Sequence, residues 1–294
     1  MSQKLGLGLV LGTALISGFS IFLNSYAVKG FDSSVFTFAK NLVVAVALFA
    51  ILFGTMRWQE VKQLKVRHWR QLAVIGLVGG SIPFLLFFKG LQMASGQMGS
   101  FIHKSLFVFV AILAPIFLKE KPAAKLVWGT LLLLAGNYLL IRPAAGFSVG
   151  HLLILAAAIL WAIENVYAKY VLRELPGTVV AFGRMAFGSV FIFIFLLMTD
   201  KADIVWNMSP AQYGWIGVTS LLLLGYVLTF YNGLREIPVT VATGILALGS
   251  PVTTLLAWAF QGAPLQALQL FGVLVIVGGV AAIAWMPRRH PAAT

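Results

Sequence analysis

Ten long apolar stretches run through the chain, at approximately 5–28, 33–54, 70–91, 97–118, 124–141, 150–172, 178–198, 212–234, 240–260 and 266–286. Each has the roughly 17 to 25 residues that an α-helix needs to cross the hydrocarbon core of a bilayer. No water reaches backbone groups there, so a lipid-length apolar run satisfies its own hydrogen bonds as a helix. Short turns such as Ala94-Ser95-Gly96, Arg142-Pro143 and Pro176-Gly177 join the runs and leave no room for a soluble domain. The expected fold is an all-α membrane protein of ten transmembrane helices. Only 10% of the 294 residues are charged, against about 25% in a soluble domain. The first run follows a single Lys4 and exceeds the apolar core of a signal peptide, so it is expected to remain as the first span.

The formal net charge of +13 raises the question of nucleic acid. Lys and Arg are confined to short loops and a few helix positions and form no basic face, so no nucleic-acid partner is expected. Topology accounts for the charge instead. With the N-terminus in the cytoplasm, thirteen basic loop residues fall on that side: Lys4, Arg57, Lys62, Lys65, Arg67, Arg70, Lys119, Lys121, Lys125, Arg173, Arg235, Arg288 and Arg289. Only Lys29, Arg142 and Lys201 fall on the other, partly offset by Asp32, Asp200 and Asp203. Both termini are then cytoplasmic. Lys40, Lys89, Lys104, Lys169 and Arg184 remain inside the spans.

The chain repeats itself. An offset of 143 sets Phe87-Phe88-Lys89-Gly90-Leu91 on Phe230-Tyr231-Asn232-Gly233-Leu234, Gly129 on Gly272 and Gly136 on Gly279. In the earlier spans an offset of 144 sets Ala14 on Ala158 and Lys40 on Arg184. The expected copies are 1–145 and 146–294. Five spans each make an odd number, so the second copy is inverted in the membrane. Inverted repeats mark transporters with a substrate site near the midplane.

From Tyr231 through Ala242, the run Tyr-Asn-Gly-Leu-Arg-Glu-Ile-Pro-Val-Thr-Val-Ala resembles the EamA type of the drug/metabolite transporter superfamily. So do Gly249-Ser250-Pro251-Val252, Gly262-Ala263-Pro264-Leu265 and the glycine-rich run from Leu270 to Val280. Two departures stand out. The family usually carries an acid where this chain has Ala263, whereas the first copy keeps Lys119-Glu120; Pro251 is matched by Val108. The resemblance implies a metabolite carrier, often an exporter, whose fifth and tenth helices lie outside a cavity formed by the other eight.

An intramembrane charge persists where it faces protein or water. Gln97, Ser100, Lys104, Val108, Ala111 and Pro115 share one small or polar helix face. The counterparts of the first five, Thr240, Thr243, Ala247, Pro251 and Thr254, repeat the stripe without the charge, and His103 is matched by Leu246. Lys104 is thus expected to grip an anionic group, with Ser100 beside it; His103, about 100° further round, either joins it or meets a neighbouring helix. Thr13, Ser17, Ser20 and Asn24 make a stripe in the first span, and Trp161, Glu164 and Asn165 lie on the matching face of the sixth. These hydroxyls and amides suit cavity lining or interhelical hydrogen bonding equally. Glu164 is the carboxylate embedded in a span, a candidate for an amine or a proton, and His103 is a second proton candidate. Lys40 and Arg184 either bind substrate or hold the carbonyls of a broken helix. Tyr226 either binds a ring or anchors at an interface. The four histidines have no ligand-like spacing and there are no cysteines, so no metal is expected.

The expected function is secondary-active, alternating-access transport of a small organic metabolite with an anionic group, such as an amino acid, by export or exchange across a bacterial inner membrane. The alternative is efflux of multiple drugs or aromatic cations. An enzyme would need convergent carboxylates, histidines or a nucleophile at one depth, and a channel a ring of charge or a filter loop; neither pattern occurs. No glycine-rich phosphate loop or nucleotide cofactor is expected. The expected partners are the small-molecule substrate and membrane lipids, with homodimerisation left open.

Overall fold

A computed structural model of the chain describes residues 2–120, 124–141 and 148–284. The expected copy boundary at 145/146, Pro143 and the cations Lys121, Arg142, Arg288 and Arg289 lie outside the described residues, as does the side chain of Lys125. The described elements are helices without strands: α1 (Gln3–Ala27), α2 (Ser33–Gly54), the short α3 (Trp58–Lys62), α4 (Val66–Ile75), α5 (Ile82–Met93), α6 (Gly96–Lys104) and α7 (Leu106–Leu118). They continue with α8 (Ala124–Ile141), α9 (Val149–Val171), α10 (Gly177–Met198), α11 (Pro210–Glu236), α12 (Val239–Leu246), α13 (Gly249–Gln261) and α14 (Ala267–Ala284). Among the described residues nine stretches are long and apolar enough to cross a membrane, and α8 adds a shorter one, Leu126–Ile141.

Short polar side chains start several of these helices. Ser2, Asp32, Ser95, Ser148 and Ser209 each accept a backbone N–H from the first turn of the helix they precede, which occupies donors that have no partner inside the helix.

Three spans are interrupted. The third begins at Val66, four residues earlier than expected, and α4 joins α5 through a π-helical turn, Gly76–Ser81. The fourth and ninth, expected to be continuous, break at Ser105 and at Ala247–Leu248. At the ninth, Pro251 has no N–H for the carbonyl of Ala247 and its ring crowds that position; the amides of Ala247 and Leu248 instead make tighter i−3 bonds to Gly244 and Ile245 at 3.1 Å. At the fourth there is no proline. Ser105 donates its hydroxyl to Ile102 O at 2.7 Å, a back-bond that bends helices.

The main helix pairs are α1 with α11 and α13, α5 with α9, α2 with α10, and α8 with α14. Glycines set the last of these. A Cβ on Gly136 would lie 2.9 Å from Gly272 O, and one on Gly129 would meet Ile283 at 2.4 Å, so van der Waals contact between backbones holds this pair. One end of the bundle carries the turns near 28–32, 94–95 and 199–209, where Lys201 pairs with Asp32 at 2.7 Å. The other carries the turns near 55–65, 119–120, 172–176 and 237–238. There Glu174 binds Arg67 and His68, and Glu120 accepts Val239 N–H and the Thr240 hydroxyl at 3.2 and 3.0 Å.

Candidate functional site

The central cavity has a volume of about 60 Å³ and is walled by α1, α2, α5, α6, α7, α9, α10 and α11. That is room for a few waters and far below the roughly 300 Å³ or more of a ligand pocket, so this conformation is contracted around the site. Among the described residues α8 and α14 contribute none of the lining.

Aromatic rings form one side. Phe84 and Phe87 each meet Trp161 with centroids 5.2 and 5.3 Å apart, and His103 stands edge-on to Trp161 at 4.8 Å. Ser17, Ser20, Asn24 and Asn165 supply the polar part of the wall, and Tyr226 closes another side. Two cations face this space. Lys40 is 1% exposed; its Nζ donates to Asn24 Oδ1 at 2.6 Å and lies 4.5 Å from the Phe88 ring centroid. Arg184 is 3% exposed; it donates to the Tyr231 hydroxyl at 3.0 Å and to Gly79 O at 2.9 Å. Neither cation meets a carboxylate within salt-bridge distance among the described residues.

The π-helical turn anchors this arrangement. In a π turn the backbone hydrogen bonds step from i−4 to i−5 and leave carbonyls free. Gly79 O takes both Arg184 and the Trp161 indole N–H, the latter at 2.9 Å, and Gly80 O takes the Asn41 amide at 2.7 Å. A Cβ on Gly80 would lie 2.2 Å from Arg184 O, so this close approach requires glycine.

Of the ten residues expected at a binding site, the structure brings seven to the cavity: Asn24, Lys40, His103, Trp161, Asn165, Arg184 and Tyr226. Lys104, Ser100 and Glu164 are buried elsewhere. Lys104 does lie on the inward face of its helix, but it reaches α1 and donates to Ser17 Oγ. Its Cε would lie 2.6 Å from a Cβ on Gly249, so it is wedged at the break in the ninth span. His103, one residue earlier, turns to the cavity instead. Its Nδ1 has no hydrogen-bond partner among the described residues. Glu164 sits behind the wall, where its Oε1 accepts the Tyr231 hydroxyl at 2.6 Å. Tyr231 therefore bridges Glu164 to Arg184. Lys169, one of the basic residues inside the spans, lies in the last turn of α9 and donates to the carbonyls of Leu234, Arg235 and Ile237 at 2.7 to 3.0 Å, neutralising the C-terminal end of α11.

Phe84, Phe87 and Phe88 were not expected in the cavity. A Phe in a lipid-length span carries no mark of which side it faces; the only sequence signal was that Phe87 and Phe88 open the segment that aligns with Phe230–Leu234, and Phe84 had none.

Comparison with known proteins agrees with this architecture. The model of the EamA-like transporter family matches residues 4–142 and 148–285. The transporter YyaM of Bacillus subtilis is 26% identical over 286 residues, covering 92% of this chain and 91% of that protein. The riboflavin transporter ImpX of Fusobacterium nucleatum is 26% identical over 209 residues, covering 67% of this chain and 70% of its own. A solved crystal structure superposes with a TM-score of 0.72 over 96% of both chains at 20% identity, a likeness of fold. The chain is a multi-pass integral membrane protein, a transporter and not an enzyme, and it belongs to the EamA-like transporter family within the drug/metabolite transporter superfamily.

Proposed function

We propose that this transporter is a secondary-active carrier of a small organic metabolite with an anionic group, an amino acid or another anionic metabolite, working by alternating access as an exporter or exchanger. The observation that carries the reading is the pair Lys40 and Arg184, two buried cations that border the cavity while the nearest buried carboxylate, Glu164, stands behind Tyr231. A cavity edged by two cations, of which Lys40 meets no carboxylate among the described residues and Arg184 reaches Glu164 only through Tyr231, favours an anion and disfavours an organic cation. That argues against the alternative of cationic drug efflux.

The aromatic wall of Phe84, Phe87, Phe88 and Trp161 suits a planar body, since flat rings stack on aromatic faces and edges. A flavin-like or other aromatic substrate is the second reading. It is supported by that wall and by the relative named as a riboflavin transporter.

In this reading two inverted five-helix copies, 1–145 and 146–294, rock against each other about the cavity, with both termini in the cytoplasm of a bacterium and the chain in its inner membrane. The pairing of α1 with α11 and of α9 with α5 supports it, because these pairs exchange under the repeat offset. Glu164 and His103 are the proton sites proposed for coupling.

Purified protein in liposomes, screened across amino acids, phosphorylated and nucleobase metabolites and flavins, tests the proposal. Uptake or counterflow of an anionic compound is expected. Transport confined to cations would overturn it. Substrate-driven proton movement should disappear in Glu164→Gln or His103→Ala; coupling that survives in both removes these residues as proton sites.

A further inference from the structure

A second cavity, of about 500 Å³, lies between α4, α7 and α9. Its walls are apolar, built by Val74, Val78, Leu113, Phe117, Ile163 and Tyr170. Val74, Phe117, Ile163 and Tyr170 are exposed on the outside of the bundle. In a membrane that surface meets lipid, so the cleft opens sideways onto acyl chains. Its deep wall includes Glu164, whose Oε1 is occupied by Tyr231.

Each of the three walls carries a basic residue at the same end of the bundle. Arg70 is one helical turn before Val74, Lys119 directly follows Leu118, and Arg173 lies just beyond the end of α9. All three are exposed. The Arg173 guanidinium sits 5.7 Å from the centroid of the Tyr170 ring, which lines the cleft. The nearby acids are engaged elsewhere, Glu174 with Arg67 and His68 and Glu120 with the start of α12. Among the described residues no ion pair is made by Arg70, Lys119 or Arg173.

An apolar slot open to the bilayer, with unpaired cations at its headgroup end, has the chemistry of a two-part amphiphile. We propose that this cleft binds an anionic phospholipid, with an acyl chain between α4, α7 and α9 and the phosphate among Arg70, Lys119 and Arg173. The chain would then pack against the back of the network in which Tyr231 holds Arg184 at the central cavity.

The test is binding of phosphatidylglycerol and of phosphatidylcholine with the same acyl chains to the delipidated, detergent-solubilised protein, followed by native mass spectrometry and by the shift of the unfolding midpoint. Wild type is expected to bind phosphatidylglycerol at least tenfold more tightly. Each of Arg70→Gln, Lys119→Gln and Arg173→Gln is expected to lower that preference by about fivefold, the effect of one basic residue near an anionic surface. Ile163→Trp, which fills the cleft, is expected to weaken both lipids. Should that variant not fold, a photoactivatable acyl chain on phosphatidylglycerol is expected to label α7 and α9 of the wild type.

Equal binding of the two lipids, or a preference that survives the triple Gln variant, overturns the proposal. So does glycerol phosphate binding as tightly as phosphatidylglycerol, which would mean a surface anion site. Preference for an amphipathic amine would assign the cleft to Glu164 and overturn it as well.

Discussion

Glu120 and Thr240 meet where the fourth and ninth spans approach each other: one carboxylate oxygen takes the Thr240 hydroxyl at 3.0 Å and the other takes Val239 N–H at 3.2 Å. An acid from the end of α7 thus caps the start of α12, where the helix dipole favours negative charge. The position 143 residues after Glu120 is Ala263, which has no group for such a bond. Glu120→Ala is expected to lower stability by about 1 kcal/mol, the usual cost of a lost N-cap. An unchanged unfolding midpoint would mean that the bond adds nothing to that cap.

Lys40 and Arg184 separate stability from recognition. Lys40→Met removes a buried charge that lacks a carboxylate partner and keeps much of its volume, and the relief of burying that charge offsets the loss of its bond to Asn24 Oδ1. Its unfolding midpoint should therefore hold or rise. Affinity for an anionic substrate should fall by roughly tenfold or more, as expected for a lost charged hydrogen bond of about 1.5 to 3 kcal/mol. Arg184→Lys should lose both affinity and stability, because an ammonium cannot reach Tyr231 and Gly79 O in the same plane.

At the opposite end, Asp32 caps α2 and pairs with Lys201. Partial burial pushes its carboxyl up, but the Lys201 hydrogen bond and the amides of Ser34 and Val35 outweigh it and hold the pKa below the ordinary 3.8. A depressed folded pKa contributes stability above the unfolded value, and that contribution is lost as pH falls through the folded value. Asp32→Asn keeps a capping oxygen and loses the pair. Its deficit against wild type is expected to be at most about 1 kcal/mol at neutral pH, because the pair is partly exposed. Unfolding midpoints taken from pH 6 downward should converge below the ordinary carboxyl range.

Topology can be read without background labelling, since the chain contains no cysteine. Single cysteines at the exposed positions Lys29 and Gln63 should be modified from opposite sides of the membrane by an impermeant maleimide. Gln63 is expected to react only from the cytoplasm. Reaction of Gln63 from outside would reverse the proposed orientation.

Gly80→Ala should be severe. The added methyl would lie 2.2 Å from a backbone oxygen of α10, and neither backbone yields as a flexible side chain does, so about 1 to 3 kcal/mol of destabilisation is expected. Gly12→Ala, with no atom within 4 Å of the new Cβ, is the control. A favourable or neutral change is expected there, because alanine is the better helix former.

The spans were legible because lipid length and apolarity are local properties of a sequence. The break at Ala247–Leu248 was partly legible through Pro251, whereas Ser105 announces its own break only by a hydroxyl that many unbroken helices also carry. The π turn was not legible: Gly76, Gly79 and Gly80 suit close helix contact or, near Pro83, a bend, and nothing in their spacing distinguishes a bond to i−5 from one to i−4. In the site, Lys40, Asn24 and Arg184 stood out because polar groups are rare in spans. Phe84, Phe87 and Phe88 did not, since the same residue suits a cavity wall and a lipid-facing surface. Lys104 shows the limit of stripe reasoning. A stripe identifies the side that avoids lipid, but that side can meet a neighbouring helix or a cavity, and Lys104 meets α1.

The turn at Gly76–Ser81 also sets a phase. A π turn holds one residue more than an α-helix would over the same rise, so α4 and α5 are offset by about 100° of rotation from a single continuous helix. Deleting Val78 would bring them back into step. Phe84, Phe87 and Phe88 would swing off the cavity, and in the same movement Arg184 and Trp161 would lose Gly79 O and Asn41 would lose Gly80 O. One inserted residue thus sets the angular position of the aromatic wall and the seating of a cavity cation together.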